Sequence, residues 1–291
     1  MKYRIVHKTA YRYTEPASLS QNELFLYPRE TVTQSVSQSR LDITPEPQYL
    51  HQRTDYFGNC AHVFMVHQPH ETLSLTATSR VATARPAIPE PTGTPPWETV
   101  VQRLRDHVNP QTLAAYQFVF ASPFSPVTAA ARVYAQPSFP AGVPVLAGAA
   151  DLIKRIYTDF AYDKSATTVD TPVDQILAGR KGVCQDFAHL AISCLRTMGL
   201  AARYVSGYME TLPPPGKPKL IGADATHAWL SLFVPGTGWV DLDPTNNLIP
   251  GEKHITLAWG RDYGDITPVK GVVMGGGAHT LTVTVDVSAQ V

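Results

Sequence analysis

Cys184, His227 and a carboxylate near residue 243 are residue types that together can open an amide bond through a thioester. Cys184 follows Gly182-Val183 and precedes Phe187, Ala188, Ala191, Leu195 and Met198, whose spacing puts them with Cys184 on one helical face. The pattern predicts a helix that starts near Cys184 and stops at Gly199, a residue suited to a C-terminal cap. Free N–H groups and the partial positive charge of a helix N-terminus stabilise a thiolate, the reactive form of cysteine. Gly182 lets the backbone approach a substrate closely. A thiolate also needs a proton manager for the leaving group. His227 opens a strand-like run over 227–234, and a second run over 238–242 leads into Asp243. Two antiparallel neighbours can set a histidine beside an aspartate, whose carboxylate accepts one ring N–H and fixes the tautomer of the other nitrogen. Asp241 competes with Asp243 for this place, and strand alternation points both the same way.

Other residues draw plainer readings. Cys60 and Cys194 do not sit at helix starts and read as small core hydrophobes. Three cysteines make no disulfide framework and suit the reduced thiols of a cytosol. His189 invites a zinc reading with Cys184, but five residues on a helix separate them by about 140°, and no CxxC pair exists. No metal and no cofactor are therefore expected. Asp186 points away from Cys184 and reads as structural, satisfying early helix N–H groups. An oxyanion hole needs donors near the thioester carbonyl. The Cys184 backbone N–H is the first candidate, with Gln185 or Asn59 as a side-chain donor. Trp229 and Trp239 read as core residues that could also wall the site.

Stepwise along the chain, residues 1–85 carry short β-patterned runs over 36–43, 61–66 and 72–81, with Tyr3, Ile5 and His7 alternating at the start and Gly58-Asn59 as a turn. These predict an N-terminal β-sandwich domain. Residues 86–97 are proline-dense and form a linker. A catalytic domain is expected over 98–291, with helices over 126–135 and 144–160, a short helix entered at Thr171-Pro172, and a strand over 202–209. Residues 212–218 read as a loop, and the last strand, 280–288, returns to a sheet that the pattern does not identify. The chain has 291 residues, 44% hydrophobic and 16% charged, with 24 Lys plus Arg against 24 Asp plus Glu. That balance gives no general attraction to nucleic acid or an anionic membrane. The N-terminus has no apolar signal region and no run is long enough to cross a bilayer, so a cytoplasmic location is expected.

The runs Gly182-Val183-Cys184-Gln185-Asp186-Phe187-Ala188-His189-Leu190, His227-Ala228-Trp229 and Asp243-Pro244-Thr245 resemble the transglutaminase-like superfamily of papain-like thiol enzymes. Tyr11-Arg12-Tyr13, Asp55-Tyr56-Phe57-Gly58-Asn59 and the segment 263–271 resemble the flanking regions of its bacterial members. The resemblance implies an α+β fold, in which a helix carrying the cysteine packs on an antiparallel sheet beside the β-sandwich. It implies a Cys184, His227, Asp243 triad, since the carboxylate precedes Pro-Thr, and a peptide or protein amide as substrate. Water resolving the thioester would make a peptidase or amidase; an amine would make a transglutaminase. The cytosolic reading and the absence of calcium-loop motifs favour water. A non-catalytic binding module is the third reading, and the intact triad argues against it. Oligomeric state is not legible in the chain.

Overall fold

A computed structural model describes residues 1–211 and 226–290. The loop expected over 212–218 lies outside the described residues. Five strands come first: β1 (Lys2–Leu24), β2 (Gln34–Thr44), β3 (Tyr49–Thr54), β4 (Cys60–Val66) and β5 (His70–Thr83). Helices follow: α1 (Trp97–Arg105), α2 (Pro110–Tyr116), α3 (Ala129–Ala135) and α4 (Val145–Asp159). Next come β6 (Ala161–Tyr162), α5 (Val173–Gly179), β7 (Lys181–Gly182) and α6 (Cys184–Thr197). The chain closes with β8 (Ala202–Met209), β9 (Thr226–Val234), β10 (Gly238–Leu242), β11 (His254–Gly260), β12 (Val269–Gly275) and β13 (His279–Gln290).

The strand-rich layer is organised by β1. Residues Lys2 to Arg12 of this strand pair antiparallel with β5 on one side and β13 on the other. A register shift follows, and Ser20 to Leu24 pair with β4 and β12. One connected sheet is thereby folded into two halves that share a strand. Phe64 and Val66 of β4 meet Leu73, Leu75 and Ala77 of β5 in a small core of their own, the face-to-face arrangement of a sandwich. β12 and β13 return to β1, so both ends of the chain build this layer. The proline-dense stretch runs extended apart from a single 3₁₀ turn at Pro91–Gly93.

The second layer is a four-stranded antiparallel sheet in the order β10-β9-β8-β11, with α6 packed on β8 and β9. α3, α4 and α5 cover the outer side of α6. Sequence periodicity predicts one apolar face on α6, yet Leu190, Ile192, Ser193 and Arg196 are buried as well. A guanidinium buried in such a helix needs hydrogen-bond acceptors around it. Arg196 donates to the carbonyls of Phe118, Ala202 and Arg261 and to Ser122 Oγ. Gly199 ends the helix region at φ +82°, a conformation glycine adopts without strain.

β11 is an edge strand, and its open edge is closed by two buried amides. Gln34 donates to the Thr256 carbonyl and accepts from the Thr256 N–H, both at 2.8 Å. Asn59 does the same with Trp259, at 2.8 and 3.0 Å. Each side chain replaces one residue of a missing partner strand, and together they dock the β-rich layer on the four-stranded sheet. No helix among the described residues is long and apolar enough to cross a membrane.

Candidate active site

Cys184 is the first residue of α6, preceded by Val183 in extended conformation. Its backbone N–H, at the first helical position, has no intrahelical acceptor. The approach to this residue is fixed by Asp186, which is 1% exposed. Asp186 Oδ2 accepts the Val183 N–H at 2.8 Å and the Thr167 hydroxyl at 2.6 Å. Burial raises the Asp186 carboxyl above its ordinary range, and these two donors oppose the rise. The structural role expected of Asp186 thus takes the form of a clamp on the turn before Cys184.

Gly182 completes that turn. A Cβ built there would lie 2.7 Å from Asp186 Oδ2 and 2.9 Å from Asp186 Cβ. Gly182→Ala should therefore displace the clamp and cost about 1–3 kcal/mol, as overpacking does. Chemical denaturation should show that loss, together with slower alkylation of Cys184 from a misplaced helix start.

The strand pair β6 and β7 runs parallel and sets Tyr162 opposite Gly182. Tyr162 is 52% exposed, and a charge on Cys184 would raise its hydroxyl pKa further than burial already does. It is the exposed aromatic beside the cysteine. Gln185 donates from Nε2 to the Val169 carbonyl at 3.0 Å, strapping the 163–172 loop to the helix start.

His227 is the second residue of β9 and lies opposite Gly207 of β8. Its Nε2–H donates to Asp243 Oδ2 at 2.7 Å, and Cys184 is near enough to act on the protonation of the same ring. Burial alone would lower the His227 pKa, but the hydrogen bonds and charges of Asp243 and Cys184 prevail and raise it to about 10. The three residues are thus brought together as a chain from sulfur to imidazole to carboxylate.

Asp243 follows β10 and is fully buried. Oδ1 accepts the backbone N–H groups of Thr245 and Asn246 at 2.9 and 3.2 Å. Oδ2 accepts from His227, from Asn246 Nδ2 at 2.7 Å and from His254 Nε2 at 3.1 Å. Burial opposes ionisation, yet this set of donors holds the carboxyl well below its usual range. Asp241 has different partners: Ser231 Oγ and Trp229 Nε1, the latter at 3.0 Å. Of the two aspartates, Asp243 is the one bonded to His227.

His254 and Asn246 carry no sequence signal that singled them out. His254 opens β11 opposite Met209, and its ring stands 5.2 Å from that of Trp229, edge-on. Trp229 is fully buried and lies 5.9 Å from the His227 ring, so it walls the imidazole pair from the sheet side.

Asn59 is not at this site. Both of its amide N–H groups are spent, on Asp55 Oδ2 and on the Trp259 carbonyl. It belongs to the docking of β11 and has no donor left for an oxyanion.

His189 accepts the Tyr263 N–H at Nε2, 3.1 Å away, and stacks between Phe124 and Tyr204. Burial, helped by Arg196, lowers its pKa to about 3, so it is a neutral packing residue. The groups that could converge on a metal among the described residues are His227, Asp243 and His254, whose ligand atoms lie within 4.8 Å of one another. The N–H···O bonds just described occupy the same lone pairs, so an ion there would displace the proton chain.

The family described as the bacterial transglutaminase-like N-terminal region matches residues 3–82. The transglutaminase-like superfamily core matches residues 137–244, which hold all three residues of the chain from sulfur to carboxylate. An uncharacterized protein of Mycobacterium tuberculosis is 41% identical over 297 residues, covering 100% of this chain and 92% of its own. A protein-glutamine gamma-glutamyltransferase of Pseudomonas aeruginosa is 34% identical over 105 residues, 35% of this chain and 16% of that protein. The solved structure of a candidate cysteine protease from Cytophaga hutchinsonii superposes with a TM-score of 0.76 at 20% identity, covering 99% of this chain and 90% of that one. The likeness in structure extends to the whole α+β architecture.

Proposed function

This chain belongs to the transglutaminase-like superfamily, and from that premise we propose that it is a thiol hydrolase of peptide or protein amides. The observation that carries the reading is the His227 ring, bonded to an ionised Asp243 and carrying a pKa raised by both Asp243 and Cys184. The Cys184 thiolate adds to the amide carbonyl. The tetrahedral oxyanion is met by the free Cys184 N–H at the start of α6. The His227 imidazolium gives its proton to the departing nitrogen, the C–N bond breaks, and a thioester and an amine result. Neutral His227 then takes a proton from water, whose oxygen displaces the thiolate and yields the free acid.

His254 and Asn246 act through Asp243 as positioning residues. They hold the carboxylate oxygen that fixes the His227 tautomer. His254→Phe should lower kcat about tenfold to 100-fold, with KM little changed, because it touches the carboxylate rather than the substrate. An equal rise in KM would place His254 on the substrate instead.

A transferase reading draws on the local likeness to the Pseudomonas glutamyltransferase. Both readings share the thioester and differ in what resolves it. A glutamine-containing peptide supplied with a labelled primary amine tests the choice. Release of free acid with little label incorporated is expected. Labelled peptide as the main product would establish transfer as the activity.

A further inference from the structure

Behind the catalytic carboxylate lies a cavity of about 560 Å³, between the β-rich layer, the proline-rich stretch and the catalytic sheet. Neither Cys184 nor His227 lines it. Its volume is within the range of small-molecule sites. Arg203, Trp239, Asp241, His254 and Trp259 form its wall on the sheet side, while Ile88 and Ile249 supply apolar surface.

Arg203 is the unusual group here. It is 8% exposed and makes no salt bridge to any described residue. Its guanidinium sits between the faces of two indoles, 4.2 Å from the Trp239 centroid and 3.6 Å from that of Trp259. Such a sandwich covers both faces of the cation and fixes its plane. The Nε–H is buried without an acceptor. Asp241 lies near enough to interact electrostatically, but its two oxygens already accept from Ser231 and Trp229. Arg29 stacks on the other residue of this group, 3.2 Å from the Trp259 centroid, and adds a second positive charge. A buried cation without an ion-pair partner costs free energy that a ligand anion would recover.

We propose that this cavity binds a small organic carboxylate, with its acid group on Arg203 and its apolar body against Trp239, Ile88 and Ile249. The planar fork of a guanidinium matches a carboxylate in two parallel hydrogen bonds. Thr31 and Thr33 line the β-rich side of the cavity and supply hydroxyl groups for the rest of such a ligand. The ligand's contacts, Arg203, Trp239, Ile88 and Ile249, are none of the proton chain's residues, although His254 in the cavity wall also bonds Asp243.

Calorimetric titration with phenylacetate and with its neutral counterpart phenylacetamide tests it. The acid should bind at least about tenfold more tightly than the amide, and Arg203→Met should erase that difference. Ile88→Phe fills the cavity without touching the cation and should also weaken binding, which guards against an Arg203 variant that folds poorly. Protein alkylated at Cys184 should bind the acid as the free protein does. Equal affinity for acid and amide, undiminished binding in Ile88→Phe, or loss of binding on alkylation of Cys184 would each overturn the assignment.

Discussion

Replacing Cys184 by alanine should abolish amide turnover, by roughly 10⁴–10⁶-fold, the scale seen when a catalytic nucleophile is deleted, while the protein stays folded. The first half follows from chemistry: alanine has no atom to form the thioester, and the imidazole has nothing to activate except water. The second half follows from position. Cys184 is only partly buried and opens α6, where alanine is the best helix former. Removing one sulfur should cost about 1 kcal/mol or less, which is a fall in Tm of only a few degrees. The other two thiols provide the control. Burial raises the pKa of Cys60, and raises that of fully buried Cys194 much further, so both are poor nucleophiles near neutral pH. Iodoacetamide should therefore modify one site, and the alanine variant should lose that modification together with the acyl-enzyme seen by mass spectrometry. Turnover that survives in the folded variant would remove Cys184 from the mechanism.

Much of the helix that carries Cys184 was legible because local rules agree there. A glycine precedes it, an apolar stripe runs through it and Gly199 stops it, and the structure places α6 at Cys184–Thr197. The strands 202–209 and 238–242 were equally clear, since buried antiparallel strands carry β-rich apolar runs. β3 escaped because all six of its residues are exposed and no alternation marks it. β11 escaped for the opposite reason: it mixes one-sided burial with hydrogen bonds to Gln34 and Asn59, which lie some 200 residues away. His254 rides on that strand, so the second imidazole on Asp243 was hidden with it. Asn59 was misplaced as an oxyanion donor for the same cause. Its neighbours in sequence mark a turn, but nothing local says that the amide completes a strand edge. The return of β12 and β13 to β1 is also non-local, and period-two patterning cannot name a strand's partner.

Asp243→Asn should combine a large rate loss with a shifted pH profile, and each effect traces to a counted set of donors. Both carboxylate oxygens accept: two backbone N–H groups meet Oδ1, and His227, His254 and Asn246 meet Oδ2. An asparagine must put an NH₂ on one of these sides. On the Oδ1 side it faces two backbone donors. On the Oδ2 side it faces three side-chain donors and favours the wrong tautomer of His227. Either choice leaves buried groups unpaired, at about 1–3 kcal/mol of stability. The rate should fall about 10²–10⁴-fold, as in triads that lose the tautomer-fixing anion. The pH dependence has a definite sign. In the native protein the anion helps hold His227 protonated up to about 10, so the alkaline limb of kcat/KM lies there, where the acid for the leaving amine is lost. Asparagine removes the charge, and that limb should move to lower pH. Stability changes in step. The raised His227 pKa stabilises the native state fully below its ordinary value of 6.5, and this contribution fades as pH rises through about 10. The lowered Asp243 pKa contributes above its ordinary value of 3.8 and is lost as pH falls through the depressed native value. In the variant the alkaline part of the stability curve should flatten. A variant whose rate falls but whose alkaline limb stays near pH 10 would show that another group, not Asp243, sets the charge on His227.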